Sequence, residues 1–294
     1  MNRAMRKSIW LGLAALLVLS LAALPAAASE QYPGSGQGQQ PPKAPAPQNP
    51  PAQQNPPAQQ NQAAVAPAAN PEEDAAYKLF SETKGDDPQK VIQLGEEFLK
   101  KYPTSRYATL VYSRLTTAYL ATGQEDKFFA AGEKALELYP DNVDVLSLLG
   151  MLLPRRLGTL DTQQKLQKSE QYCKRTLALL AEMQKPAGLT DEEFTAAKNQ
   201  KLSMAHSGLG LVYFHRQRYA DSAIELDQAT KLVPNPDPTD YFLLGTVSMQ
   251  AKHFTDAVTA FDKCSQINWD WQERCKKGGE DAKKAAATQL SAPK

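Results

Sequence analysis

The chain has 294 residues, 42% of them apolar, with 33 Lys and Arg against 32 Asp and Glu and only 3 Cys. A charge balance this close to zero gives no electrostatic ground for a nucleic-acid partner or an anionic membrane surface. So few cysteines exclude a disulfide framework as the main support of an exported fold of this size.

Arg3, Arg6 and Lys7 precede an apolar run from Ile9 to Leu24, which ends in Pro25-Ala26-Ala27-Ala28-Ser29. A positive flank, an apolar middle and a small-residue exit predict a signal peptide over 1–28, cleaved after Ala28. The run is short of the roughly twenty apolar residues that a full span needs. The alternative is an uncleaved anchor in the inner membrane, with the rest of the chain facing the periplasm. No Cys lies near the exit, so this pattern gives no lipoprotein anchor. Residues 29–70 follow as a Pro/Gln/Ala-rich linker in which Gln48–Gln53 repeats as Gln54–Gln59. With Val65 as its one large aliphatic residue, the linker buries too little apolar surface to offset its chain entropy. It is expected to be disordered, biased by proline toward extended geometry.

From Glu72 the composition turns to Ala, Leu, Glu, Lys and Tyr with a helical period. Proline now falls chiefly between periodic segments, at Tyr102-Pro103, Tyr139-Pro140 and Val233-Pro234, where it stops the preceding helix. Gly85 and Gly123 sit where short turns would join paired helices. Thr190-Asp191-Glu192-Glu193 is a capping box and predicts a helix start. No segment reads as a strand.

Leu209, Gly210, Tyr213, Tyr219, Ala229 and Pro234 form a ladder over 203–236. Leu244, Gly245, Phe254, Ala257 and Phe261 repeat it over 238–271, with Cys264 and Trp269 in place of the usual Ala and Pro. Residues 109–142 carry Tyr112, Leu115, Tyr119, Gly123, Ala135 and Pro140, but place Thr116 and Phe128 at small-residue positions. Leu149 and Gly150 open a further copy at 143–180, and Phe98-Leu99 with Tyr102-Pro103 end one at 72–103. In these residues the chain resembles the tetratricopeptide repeat (TPR) family, whose unit is a helix–turn–helix of about 34 residues.

The resemblance implies an all-α fold, a right-handed superhelical array of antiparallel helix pairs. About five hairpins are expected over 71–269, then a capping helix at 270–287 and a tail at 288–294. Gly150 and Gly210 lie 60 residues apart, so the hairpin at 143–202 is expanded. Its reading is a long helix at 162–184, a break at Pro186-Ala187-Gly188, and another long helix from Asp191 to Gln217.

Chemistry-bearing patterns are few. His206, His215 and His253 form no pair at metal-ligand spacing with each other or with a cysteine. His206 and His215, nine residues apart on one helix, face roughly opposite sides. Gly208-Leu209-Gly210 lies inside a helical pattern and is no phosphate loop. No enzyme activity, cofactor or metal is therefore expected.

The family register places Cys264 and Cys275 opposite each other across a hairpin step. A disulfide there would close a loop of about eleven residues and stabilise by roughly 3 kcal/mol on the chain-entropy model. Two buried free thiols are the other reading; the bond is preferred. The family also binds peptides on the concave face formed by the first helix of each hairpin. By register that face takes Leu110, Ser113, Thr117 and Leu120, then Met204, Ser207, Leu211, Phe214 and His215, then Thr239, Phe242, Thr246 and Met249. These apolar and hydroxyl groups suit a hydrophobic peptide or helix. The expectation is an exported scaffold, in a bacterial periplasm or secreted, that binds an envelope protein as a monomer or small oligomer. Any membrane link would run through an uncleaved leader. A structural, self-associating envelope spacer on such an anchor is the alternative.

Overall fold

A computed structural model describes residues 70–157 and 162–291. The leader at 1–28, and the linker apart from Asn70, lie outside the described residues. The described residues fold into eleven α-helices with no strand among them. In order these are α1 (Pro71–Glu82), α2 (Pro88–Lys101), α3 (Ala108–Ala121), α4 (Glu125–Leu138) and α5 (Val143–Leu152). A 3-10 turn (Leu153–Arg155) closes α5. Then come α6 (Thr162–Glu182), α7 (Asp191–His215), α8 (Tyr219–Lys231), α9 (Pro238–Gln250), α10 (Phe254–Gln266) and α11 (Gln272–Ser291). Each helix packs on its neighbours in chain order, giving a TPR-like stack of hairpins.

Polar caps fix the helix starts. Asn70 Oδ1 accepts from the Glu72 amide at 3.1 Å, Asp87 Oδ1 from Lys90 at 3.0 Å, and Asp237 Oδ1 from Thr239 at 2.9 Å. Thr190 and Glu193 close a full capping box: the Glu193 amide donates to Thr190 Oγ1 at 3.2 Å, and the Thr190 amide to Glu193 Oε2 at 3.0 Å. Each such bond satisfies an amide that the helix itself leaves open. The final helix runs on to Ser291, past the expected end at 287.

Three hairpins share one turn. Gln124, Arg218 and His253 donate their amides to the Tyr119, Tyr213 and Ser248 carbonyls, at 2.9, 2.9 and 2.8 Å. The residue before each has positive φ: Gly123 at 72°, Gln217 at 60° and Lys252 at 62°. This is the Schellman closure, whose left-handed residue is usually glycine. Gln217 and Lys252 form it without one, so α7 ends two residues before the Gln217 limit read from the sequence.

Among the described residues the core is distributed along the array in four clusters. Small residues decide how closely the helices approach. A Cβ on Gly210 would stand 2.6 Å from Leu226 Cγ, and one on Gly245 2.8 Å from the Phe261 ring. At the middle of the stack the contact involves backbone itself. A Cβ on Gly208 would lie 2.7 Å from the Gly150 carbonyl oxygen and 2.6 Å from Cys173 Sγ. Helices α5, α6 and α7 therefore meet at Gly150, Cys173 and Gly208. Ser169 of α6 ties the same point by donating to the Gly150 carbonyl at 2.7 Å. Hairpin 109–142 handles its Thr116 differently: the glycine is Gly132 on α4, and Leu149 of α5 fills the space beside it.

Gly208→Ala should lower the melting midpoint by about 4–8 °C, since a Cβ pressed on backbone costs about 3 kcal/mol, against roughly 1 kcal/mol of helix propensity gained. Gly85→Ala, with nothing within 4 Å of the added Cβ, is the control that should leave it unchanged. Lys252→Gly should raise the midpoint by about 2–4 °C, because glycine removes a left-handed penalty of about 1 kcal/mol. Thermal unfolding followed by circular dichroism checks all three.

Candidate interaction face

The first helices α3, α7 and α9 carry the thirteen positions assigned to a peptide-binding face, and packing divides them sharply. On α3, Leu110 is 54% exposed. Ser113 and Thr117 are partly exposed, and their hydroxyls are engaged within the fold. Ser113 Oγ accepts from Asn142 Nδ2 at 2.7 Å, and Thr117 Oγ1 donates to the Arg114 carbonyl at 2.8 Å. On α9, Phe242, Thr246, Met249 and Thr239 are also partly exposed.

On α7 the expectation fails at Met204, Ser207 and Leu211, which are 7%, 1% and 6% exposed. Leu120 on α3 is likewise enclosed. From Ser203 to Tyr213 every residue except His206 is buried, so this stretch is a core helix rather than a face. The Gly150–Gly208 contact brings α5 and its 3-10 turn onto α7. Met204 joins the cluster containing the α5 side chains. Phe214 stays half-buried beside Tyr219, and His215 is exposed with its Nε2 3.1 Å from the Pro154 carbonyl. His206 turns the other way and sets Nδ1 2.7 Å from Glu225 Oε2 of α8.

Ser207 belongs instead to a buried polar cluster. Its hydroxyl donates to Asp240 Oδ1 at 2.7 Å and accepts from Arg155 Nη2 at 3.0 Å. The same Nη2 lies 3.2 Å from Asp240 Oδ1 and 3.5 Å from Asp237 Oδ2. Side-chain exposure is 8% for Arg155 and 3% for Asp240, so the pair is shielded from water. It joins the turn after α5, the middle of α7 and the first turn of α9. Burial pushes the Asp240 carboxyl up to about 7, with Asp237 adding to the rise and Arg155 and Ser207 opposing it. The cluster escaped the sequence reading because Arg155 and Asp240 are 85 residues apart. The legible signal was the absence of any Lys, Arg, Asp or Glu from Leu202 to His215, which marks a helix buried all round.

Two aromatic residues that the sequence reading left out of the face adjoin Phe242. The Trp271 ring lies 5.1 Å from Phe242 edge-on, with Trp269 5.7 Å beyond. Both indoles are partly exposed, and the Arg274 guanidinium sits 4.9 Å over Trp271. Cys264 of α10 and Cys275 of α11 are joined as a disulfide, with Cα atoms 5.7 Å apart. It closes the loop that carries both tryptophans. Cys173 is free and buried, and its thiol is pushed up to about 12 by burial, which removes its nucleophilic form.

Among the described residues no group of His, Cys, Asp and Glu could hold a metal ion. A cleft of about 370 Å³ lies between α4, the turn after α5 and α6. Arg156 at its edge pairs with Glu125 and Asp126 at 3.2 and 3.0 Å, and Lys168 with Glu133 at 3.0 Å. No helix among the described residues is long and apolar enough to cross a membrane.

No protein-family model matches the chain, and no curated protein matches it. Solved structures do. PilW, described as a widely conserved type IV pilus biogenesis factor, is 17% identical with a TM-score of 0.47, over 75% of this chain and 93% of PilW. Pseudomonas aeruginosa PilF is 16% identical with a TM-score of 0.47, over 74% of this chain and 89% of PilF. TTC0263, a thermophilic TPR protein in Thermus thermophilus, is 13% identical with a TM-score of 0.41, over 73% of this chain and 96% of TTC0263. Likeness at these values does not extend to function.

The Asp240 carboxyl titrates higher in the folded chain than in the unfolded one, where it is near 3.9. Between those values the folded state holds the extra proton, so stability is full at low pH and falls as pH rises through 7. The melting midpoint should therefore be lower at pH 8 than at pH 5. Asp240→Asn should flatten that slope, as read by calorimetry across the pH series.

Proposed function

We propose that the chain is a non-catalytic scaffold of the cell envelope that binds a protein partner, as an extended peptide or a helix, on its first-helix side. The observation that carries this reading is the pair of accessible apolar patches on that side. One centres on Leu110, with Ser113 and Thr117 beside it. The other holds Phe242 and Met249 with Thr246 on α9, and Phe214 lies at the end of α7. Each patch sets apolar side chains among hydroxyls that already have partners in the fold, so a ligand gains apolar contact without stranding a polar group.

The magnitudes favour a reversible contact. Closing a half-exposed Leu or Phe is worth about 1 kcal/mol at 25 cal/mol per Å². A handful of such side chains, set against the loss of translational freedom, gives a transient interface rather than an obligate one. The titratable groups with strongly displaced values are engaged within the fold: Asp240 and Cys173 are enclosed, and the raised hydroxyls of Tyr119 and Tyr172 donate to Glu96 and Glu133. Placement in the envelope rests on the leader pattern at 1–28. The linker at 29–70 would set the array at a distance from whatever holds the N-terminal end.

The full chain, immobilised as bait on envelope extract, should retain a partner that Leu110→Asp and Met249→Asp variants of intact helicity bind at least tenfold more weakly. Equal retention by parent and variants rejects the first-helix side as the binding face. Self-association that grows with concentration, without any partner, would favour the anchored spacer instead.

A further inference from the structure

We propose that the disulfide between Cys264 and Cys275 is a redox latch. While it is closed, α11 is held on the array; its reduction by a dithiol releases α11 and takes apart the contact of Trp271 with Phe242. The inference goes beyond the scaffold reading, because it concerns the state of this surface and holds whatever partner the surface takes.

Packing alone gives α11 little hold. Among residues 272–289, Cys275 and Ala282 are the only buried side chains. The first is half of the disulfide, so the apolar burial that α11 itself brings rests on one methyl group, set in a cluster with Ala257 and Phe261. The Phe261 ring meets α11 at Gly278, where a Cβ would stand 2.7 Å away, so α11 covers the ring with backbone. By contrast, α10 buries Ala257, Ala260, Phe261 and Cys264. The polar contacts of α11 with α10 are slight. Lys283 Nζ lies 3.2 Å from Asp262 Oδ1 with both side chains about half exposed, where an ion pair is worth little. Gln272 Nε2 donates to the Ser265 carbonyl at 2.9 Å. Gly278 and Gly279 stand together inside the helix, and glycine is the poorest helix former after proline. A helix with so little side-chain burial depends on its covalent bond to stay docked.

The tryptophans move with α11. The Cys275 amide donates to the Trp271 carbonyl at 3.0 Å, and the Gln272 amide to the Trp269 carbonyl at 3.1 Å. Both indoles therefore belong to the lead-in of α11, and Trp271 stays 5.1 Å from Phe242 only while that helix is in place. Once the latch opens, Phe242 loses Trp271, and Phe261 and Ala257 on α10 lose their cover. The end of the array thus presents an aromatic patch in oxidising surroundings and an open apolar face of α10 in reducing ones.

The chemistry is thiol–disulfide exchange. One thiolate of the dithiol attacks a sulfur of the disulfide and forms a mixed disulfide, and its second thiol closes a ring disulfide on itself. The dithiol is oxidised by two electrons, and its two protons end on Cys264 and Cys275. Both cysteines are fully enclosed, so the dithiol reaches the bond when α11 opens from its far end. The paired glycines beside Cys275 are where that opening comes easily.

The test uses the full chain, reduced with dithiothreitol under native conditions and alkylated with iodoacetamide, with adducts counted by mass. Two adducts are expected, on Cys264 and Cys275, while Cys173, buried where α5, α6 and α7 meet, stays unlabelled. Hydrogen exchange at the amides of residues 279–289 should speed about a hundredfold on reduction, the ratio that roughly 3 kcal/mol of loop closure gives at 1.4 kcal/mol per tenfold. The α7 amides from Leu209 to Tyr213 should keep their protection. In the Trp10→Phe chain, whose indole emission comes from Trp269 and Trp271 alone, reduction should shift that emission to the red. Three adducts, or equal acceleration in α7, overturn the proposal by showing that the bond supports the whole array. Fewer than two adducts overturn it as well, since the latch then stays shut to a dithiol. Two adducts with unchanged exchange in α11, or with unchanged emission, show that α11 and its tryptophans stay docked without the bond, and likewise overturn it.

Discussion

The arrangement of this protein hangs on the contact of Gly150 with Gly208. A backbone carbonyl of α5 rests where α7 has no Cβ, and the Cys173 sulfur of α6 fills the remaining space. Dispersion falls steeply with distance, so three helices that share one point at this range cannot slide without losing many contacts at once. Helices α6 and α7, of 21 and 25 residues, both run past the junction, which takes the middle of α6 at Cys173 and the C-terminal third of α7 at Gly208.

That junction places the 3-10 turn after α5 against α7 and α9, and so assembles Arg155, Ser207, Asp237 and Asp240. A buried pair of this kind adds little net stability, because both charges leave water. Its effect is on geometry. An Arg155 held by three elements fixes how the hairpin of α9 and α10 sits on the one before it, and burial raises the Asp240 carboxyl that it pairs with. The same packing encloses Met204, Ser207 and Leu211, leaving accessible apolar side chains on α3 and α9 with a closed stretch of α7 between them in sequence.

The two ends of the array are finished by different means. At the N-terminal end, the Arg114 guanidinium of α3 donates to the Phe80, Ser81 and Thr83 carbonyls, closing the open acceptors at the end of α1. Tyr77 and Tyr107 stack there at 3.9 Å. At the C-terminal end a covalent bond holds α11 to α10, and Gly278 admits the Phe261 ring. A terminal helix has a neighbour on one side only, so it lacks the two-sided burial that secures the inner helices. The bond compensates for that missing neighbour and orders the tryptophan loop with it.

Much of the fold was legible in the chain because it depends on local chemistry. The period of apolar residues, the Thr190–Glu193 box and the prolines after Tyr102 and Tyr139 act within one or two turns of helix, so they mark helix starts and stops directly. The spacing of Gly210, Tyr213 and Ala229 set the hairpin, since a repeated small residue admits a neighbouring helix at a repeated place. The turns at Gln217 and Lys252 were not legible, because neither residue type favours positive φ and only the closure of the hairpin holds it there. The accessibility of the positions assigned by register was half legible. Register put Leu110 and Phe242 where α3 and α9 leave them accessible, but register assumes every hairpin is packed alike. Whether Ser207 meets a ligand or an arginine 52 residues away was decided by how closely Gly150 and Gly208 approach. That is a property of three helices together, which no single stretch of sequence contains.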